Sequence, residues 1–136
     1  MIAYYFFSDI VSVEVCVLGY VRVRGVIANP FKRNLRLEIE FIADTSAMYT
    51  MIPEAIARKL DLSATGKGRF KLADGGVVEY PVSEAFIVIE ERGATSLVVI
   101  GPEKAPPLLG VTTLELLGLQ VDPVTGKLKP LELMIL

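Results

Sequence analysis

The sequence predicts a mainly β domain, a barrel or sandwich carrying two short helices. Apolar residues recur at every second position through several stretches, the period of a half-buried strand. Turn residues break those stretches at close intervals. Helical spacing is confined to two brief segments, and at 136 residues the chain fits one domain large enough to bury a core.

The first strand is expected over 11–18, where Val11, Val13, Val15 and Val17 alternate with Ser12, Glu14, Cys16 and Leu18. Val21, Val23, Val26 and Ile27 carry a second, stopped by Asn29-Pro30. Leu35, Leu37, Ile39 and Phe41 alternate with Arg36, Glu38 and Glu40, the clearest strand in the chain, and it runs into Asp44. Pro53 to Leu60 reads as a short helix. Proline suits the first helical position, Glu54 and Arg58 sit at i,i+4, and Ile52, Ile56 and Leu60 share a face. Arg69 to Leu72 and Val77 to Tyr80 are hairpin arms around Asp74-Gly75-Gly76, because Asp-Gly between β-rich arms favours a tight turn. Phe86 to Ile89 and Leu97 to Ile100 form a strand pair around Gly93. After Pro106-Pro107 and Leu108-Leu109-Gly110, Thr112 and Glu115 have the spacing of a capping box, and Gly118 stops the helix they open. Asp122-Pro123 and Thr125-Gly126 make a last turn before an apolar tail, Leu131 to Leu136.

Composition excludes several chemistries. The chain has no histidine and a single cysteine, which removes Ser-His-Asp and Cys-His catalysis and the usual zinc sites. No metal or cofactor is expected, and catalysis must use carboxylates, hydroxyls, lysines or backbone amides. Net charge is only -2. The cluster Arg22, Arg24, Lys32, Arg33 and Arg36 has no interleaved aromatics to stack bases, so it reads as a solvated strand face and no nucleic-acid partner is expected. No apolar run approaches the roughly 18–20 residues needed to span a bilayer, and no basic segment opens a signal peptide. A soluble cytoplasmic protein without membrane attachment is the expectation. The hydrophobic share of 52% and mean hydropathy of +0.51 leave an apolar excess for a core, an interface or a membrane, and an interface is the expectation. Few side-chain amides (Asn29, Asn34 and Gln120) suit a heat-adapted source.

Phe41-Ile42-Ala43-Asp44-Thr45-Ser46-Ala47 is the segment that carries chemistry. An apolar strand delivers one carboxylate into a turn of small residues, where it is held in place. The plain reading of Asp44 alone is an Asp that caps a turn. Glu38 and Glu40 share an outward strand face and read as solvated charge, Thr112 reads as a helix cap, and Tyr80 as a packed aromatic. The Asp74-Gly75-Gly76 turn alone reads as a surface hairpin.

Taken in order, Asp44-Thr45-Ser46-Ala47, then Ile52-Pro53 with Ala57 and Leu60, then the glycine-tipped hairpin, then Leu108-Leu109-Gly110 before a helix, resemble a retropepsin-like aspartic protease. The likeness is to the small cellular and archaeal single-domain members more than to the viral ones. It covers about residues 20–133. Residues 1–19 lie outside it, as an added strand or the product of a start assigned too early, and 20–136 form the protease-like domain. The resemblance implies a closed β barrel with a flap hairpin, forming half of an aspartic protease dimer.

Peptide hydrolysis without metal or covalent intermediate needs one group to take a proton from water and another to give one to the carbonyl oxygen. Two carboxylates about 3 Å apart cannot both ionise easily, so they share a proton and supply both roles. Asp9, Asp61, Asp74 and Asp122 lack the context of Asp44, so the second carboxylate is expected from Asp44 of another subunit across a two-fold axis. The resemblance then implies that Thr45 bonds across the axis and that Ser46 and Ala47 offer backbone groups near the carboxylates and substrate. It makes Asp74, Gly75 and Gly76 the flap over an extended polypeptide, with Leu109 and Gly110 crossing behind the catalytic loop. Ser46 stands where the family has glycine. Either its backbone is left-handed and strained, or its side chain crowds or hydrogen-bonds the carboxylates. Val111 stands where many viral members have arginine. The expected function is a homodimeric aspartic endopeptidase; the alternative is a weak or inactive dimer of the same fold that binds peptides or proteins.

Overall fold

The computed structural model describes residues 20–132. The strand expected over 11–18, Cys16 and the last four residues of the apolar tail lie outside the described residues. β1 (Tyr20–Asn29) and β2 (Lys32–Asp44) form a long antiparallel hairpin, paired from Tyr20↔Asp44 to Asn29↔Lys32. Its alternation is the one the sequence carries: Val21, Val23, Ile27, Phe41 and Ala43 are buried. On the outer face Arg22 pairs with Glu40 at 3.2 Å and Arg24 with Glu38 at 3.0 Å. Asn29 organises the turn, its Oδ1 accepting from the Phe31 and Lys32 amides while its Nδ2 donates to the Leu60 and Asp61 carbonyls.

β3 (Thr50–Pro53) leads into α1 (Glu54–Lys59). Pro53 occupies the N-cap with extended ψ of 154°, one residue before the position its sequence context implied. β4 (Gly66–Lys71) and β5 (Val77–Ile89) form the predicted hairpin. β6 (Arg92–Gly101) pairs with β5 from Val82↔Val99 to Ile89↔Arg92. The turn between them is therefore Glu90-Glu91, with φ of 50° and 67°, and Gly93 lies inside the strand. Reading glycine as the turn residue misplaced it, because two glutamates take the left-handed conformation here.

β7 (Leu108–Leu109) precedes α2 (Val111–Leu116), and β8 (Leu119–Asp122) pairs with β9 (Lys127–Pro130) in a separate two-stranded sheet. The expected capping box does not form. The helix opens at Val111 with Gly110 as N-cap and no side-chain cap, so Thr112 is not the cap. Gly118, with φ of 70°, ends the helix as expected.

The main sheet runs β1-β2-β7-β3-β6-β5-β4, and β1 also pairs with β5 through Val26–Ala28, which curls the sheet back on itself. Phe41, Ile27, Ile52, Leu60, Ile87 and Leu109 fill the interior, fully buried or nearly so. Each contributes about 1.5–3 kcal/mol by burial.

Candidate active site

The end of β2 is held from several sides. Ile42 and Ala43 run parallel to Leu108 and Leu109, and the Ile42 amide donates to the Pro107 carbonyl at 2.9 Å. The chain then turns sharply, closed by the Ala47 amide donating to the Asp44 carbonyl at 3.1 Å. The carbonyls of Ala47 and Met48 accept from the amides of Val111 and Thr112 at 2.9 and 3.0 Å, so the start of α2 holds the loop. Gly110 makes this approach possible, since a Cβ there would lie 2.3 Å from the Tyr49 carbonyl carbon. A chain of buried hydroxyls from Thr50, Thr113 and Ser96 anchors the same junction. Sequence reading missed all three. The only signal was polar residues at positions where strand and helix patterns call for apolar ones.

Asp44 has no exposed surface. Its Oδ1 accepts two hydrogen bonds, from the Ser46 amide at 2.9 Å and from Ser46 Oγ at 2.7 Å. Its Oδ2 is buried with no partner, and among the described residues no other buried side-chain nitrogen or oxygen is left so. A buried acceptor without a donor is costly, more so for a charged group. Ser46 itself is not left-handed: among described non-glycine residues only Asp61, Glu90 and Glu91 have positive φ. Of the two alternatives for Ser46, backbone strain is therefore excluded and the hydrogen bond to the carboxylate is present.

Thr45 is exposed and lines a groove of about 230 Å³ with Val111, Leu114, Leu119, Val121 and Leu131. Met48 and Tyr49, 61% and 43% exposed, follow it in the loop. The β4–β5 hairpin reaches this loop through Phe70, whose ring meets Tyr49 edge-on at 5.9 Å between centroids. The hairpin tip is closed by its own bonds: the Leu72 amide donates to the Gly76 carbonyl at 2.7 Å, and the Gly76 amide to Asp74 Oδ1 at 2.8 Å. Gly75 has φ of 90°, which glycine adopts without strain. The fold thus brings together Asp44, Thr45, Ser46, Ala47, Leu109 and Gly110. Asp74, Gly75 and Gly76 sit exposed at the far end of the hairpin.

Among the described residues no cluster of three or more His, Cys, Asp or Glu side chains is placed to hold a metal ion. No described helix is long and apolar enough to cross a membrane.

The geometry has solved counterparts. The EIAV protease complexed with the inhibitor HBY-793 matches at 20% identity and a TM-score of 0.54, over 71% of this chain and 86% of that one. The fold is retropepsin-like. A foamy viral protease-reverse transcriptase, solved in complex with an RNA/DNA hybrid, matches at 17% identity and a TM-score of 0.53. That match covers 86% of this chain but 13% of the longer protein. The simian foamy virus (mac) protease in solution matches at 18% identity with a TM-score of 0.49, over 69% of this chain and 91% of that one. No protein-family profile matches the sequence, and no curated protein does. In this fold β7 runs parallel to the end of β2, beside the loop that carries Asp44.

Proposed function

We propose that this chain is an aspartic endopeptidase that works as a homodimer, each subunit contributing one Asp44. The observation that carries the reading is the unpartnered, buried Oδ2 of Asp44 at the end of β2 in a retropepsin-like fold. One chain supplies half of a two-carboxylate centre, and a second copy supplies the rest across a two-fold axis. Water held between the carboxylates attacks the peptide carbonyl, one carboxylate taking its proton while the other carboxyl protonates the carbonyl oxygen. Because Asp44 is covered in the isolated chain, assembly must also open it to water. Thr45, exposed beside the α2 groove, braces the paired loops. The β4–β5 hairpin serves as the flap over an extended polypeptide, its Asp74-Gly75-Gly76 tip turning above the substrate. Val111 stands where many viral members have arginine, so their stabilising ion pair is not expected in this dimer.

The test is cleavage of an unfolded protein from acidic to neutral pH, with dimerisation followed in parallel by sedimentation. Wild type is expected to cleave and to be inhibited by a transition-state analogue of aspartic proteases. Asp44→Asn is expected to dimerise without cleaving. Full activity in Asp44→Asn, or a monomeric active species, sinks the reading.

A further inference from the structure

We infer that the Ser46 hydroxyl is a positioning group that fixes the Asp44 carboxyl and assigns different tasks to its two oxygens; the functional part of this inference rests on the peptidase reading above. Oδ1 already accepts two hydrogen bonds from Ser46, one from the amide at 2.9 Å and one from Oγ at 2.7 Å. An oxygen that accepts two donors is poorly placed to carry a proton as well. Oδ2 accepts none and is buried. Oδ2 is therefore the oxygen left without a partner within this chain, and the one available to the second carboxyl and the water of the assembled site.

The backbone donor alone does not fix this arrangement. A single amide bond to Oδ1 leaves the carboxyl free to rock about its axis, whereas two donors from one residue clamp one oxygen from two directions. Hydrogen bonds to charged groups are stronger than neutral ones and are shorter, as the Oγ contact is. Ser46 is exposed, so its hydroxyl contributes no core packing, and its backbone carries no left-handed strain. What the hydroxyl does is therefore local to the carboxyl. Glycine at this position would leave Oδ1 with the amide donor alone.

The test uses Ser46→Ala, Ser46→Gly and Ser46→Thr in the full chain, with Asp44→Asn to assign signals. The direct readout is infrared spectroscopy of protein carrying 13C-labelled aspartate. The carboxyl band lost in Asp44→Asn is expected to shift in Ser46→Ala and Ser46→Gly and to return towards its wild-type position in Ser46→Thr. An unshifted band overturns the inference whatever the activity. In turnover, loss of one charge-assisted bond is expected to lower kcat about tenfold to a hundredfold with KM within about twofold, and Ser46→Thr is expected to recover most of it. Wild-type or higher kcat in Ser46→Ala or Ser46→Gly also overturns it. No cleavage by wild type, with the band shift present, overturns the peptidase reading and leaves the hydroxyl's hold on Asp44 standing.

Discussion

Thr50 and Thr113 are 63 residues apart in sequence, yet their hydroxyl oxygens stand 2.6 Å apart in the interior. The contact extends at both ends. The Gly110 amide donates to Thr50 Oγ1 at 3.0 Å, and Thr113 Oγ1 lies 2.8 Å from Ser96 Oγ, which donates to the Leu97 carbonyl at 3.1 Å. Read in that direction, each hydroxyl accepts once and donates once, so three buried polar groups are satisfied in series. The series joins β3, α2 and β6 directly behind the Asp44 loop.

Thr113→Val keeps the shape of the side chain and removes the middle hydroxyl. Thr50 then loses its acceptor and Ser96 a donor, both in buried surroundings. The expected destabilisation is about 1–3 kcal/mol. It is read as a lower urea midpoint at an unchanged m-value, with Thr113→Ser keeping most of the wild-type midpoint. An unmoved midpoint in Thr113→Val means that the hydroxyl series does not hold the junction.

Gly110→Ala tests the backbone contact beside it. The added Cβ meets the Tyr49 carbonyl carbon at 2.3 Å and the Thr50 nitrogen at 2.7 Å, both main-chain atoms that cannot rotate away. Overpacking of this kind costs about 1–3 kcal/mol, at the upper end where backbone must shift. Gly66→Ala is the control, since its nearest new neighbour is Val82 Cγ2 at 3.8 Å, an ordinary contact. Thermal melts are expected to fall clearly for the first and hardly at all for the second. Equal melting temperatures count against the close-approach account.

The parts of the fold legible in the sequence are those set by local periodicity. β2 reads from the alternation of Leu35 to Phe41, and the β4–β5 hairpin from Asp74-Gly75-Gly76, because pleat and turn chemistry act over a few residues. The Asp44 loop reads from its small residues after an apolar strand. What stayed hidden depends on distant partners. Glu90-Glu91 forms a turn that neither residue favours, imposed by the register of β5 with β6. Thr112 and Glu115 have capping-box spacing, but contacts of the Val111 and Thr112 amides with the Asp44 loop start the helix earlier. Serine after Asp44-Thr45 is compatible with strain, crowding or a hydrogen bond to the carboxylate, and the folded loop decides for two hydrogen bonds from Ser46 to Asp44 Oδ1.

Acid lowers one contribution to stability in a defined direction. Lys32 Nζ lies 2.8 Å from Asp61 Oδ2, and its hydrogen bond and charge hold the Asp61 carboxyl below the usual carboxylate range. A carboxyl depressed in the folded state stabilises at pH above its unfolded value, and that contribution is lost as pH falls through the folded value. Lys32→Gln is therefore expected to melt slightly lower than wild type near neutrality and to converge with it in acid. Both side chains are exposed, so the gap is small and shrinks in high salt. A gap that persists in acid rules out this ion pair as its source.

The Tyr49–Phe70 contact links the hairpin to the Asp44 loop. Such an edge-on pair contributes about 0.5–1.5 kcal/mol beyond burial. Phe70→Ala is expected to speed amide hydrogen exchange over residues 66–80 while leaving β1 and β2 protected. Tyr49→Phe, which keeps the ring, is expected to leave exchange unchanged. If Phe70→Ala exchanges like wild type, the ring contact does not restrain the hairpin.

Glu90-Glu91 offers a stabilising change. The Ile89↔Arg92 pair leaves two residues in the loop, both with positive φ, which is the geometry of a type I′ turn. A non-glycine residue there costs about 1–2 kcal/mol. Asn-Gly adopts the same backbone readily, so Glu90→Asn with Glu91→Gly removes strain from the folded state. Glycine also loses about 0.5–1 kcal/mol through its greater freedom when unfolded, so the net gain is about 1 kcal/mol or less. The double variant is expected to melt a few degrees higher, with no change in the β5–β6 register. A lower melting temperature means that the glutamates make compensating contacts and that the turn is not strained.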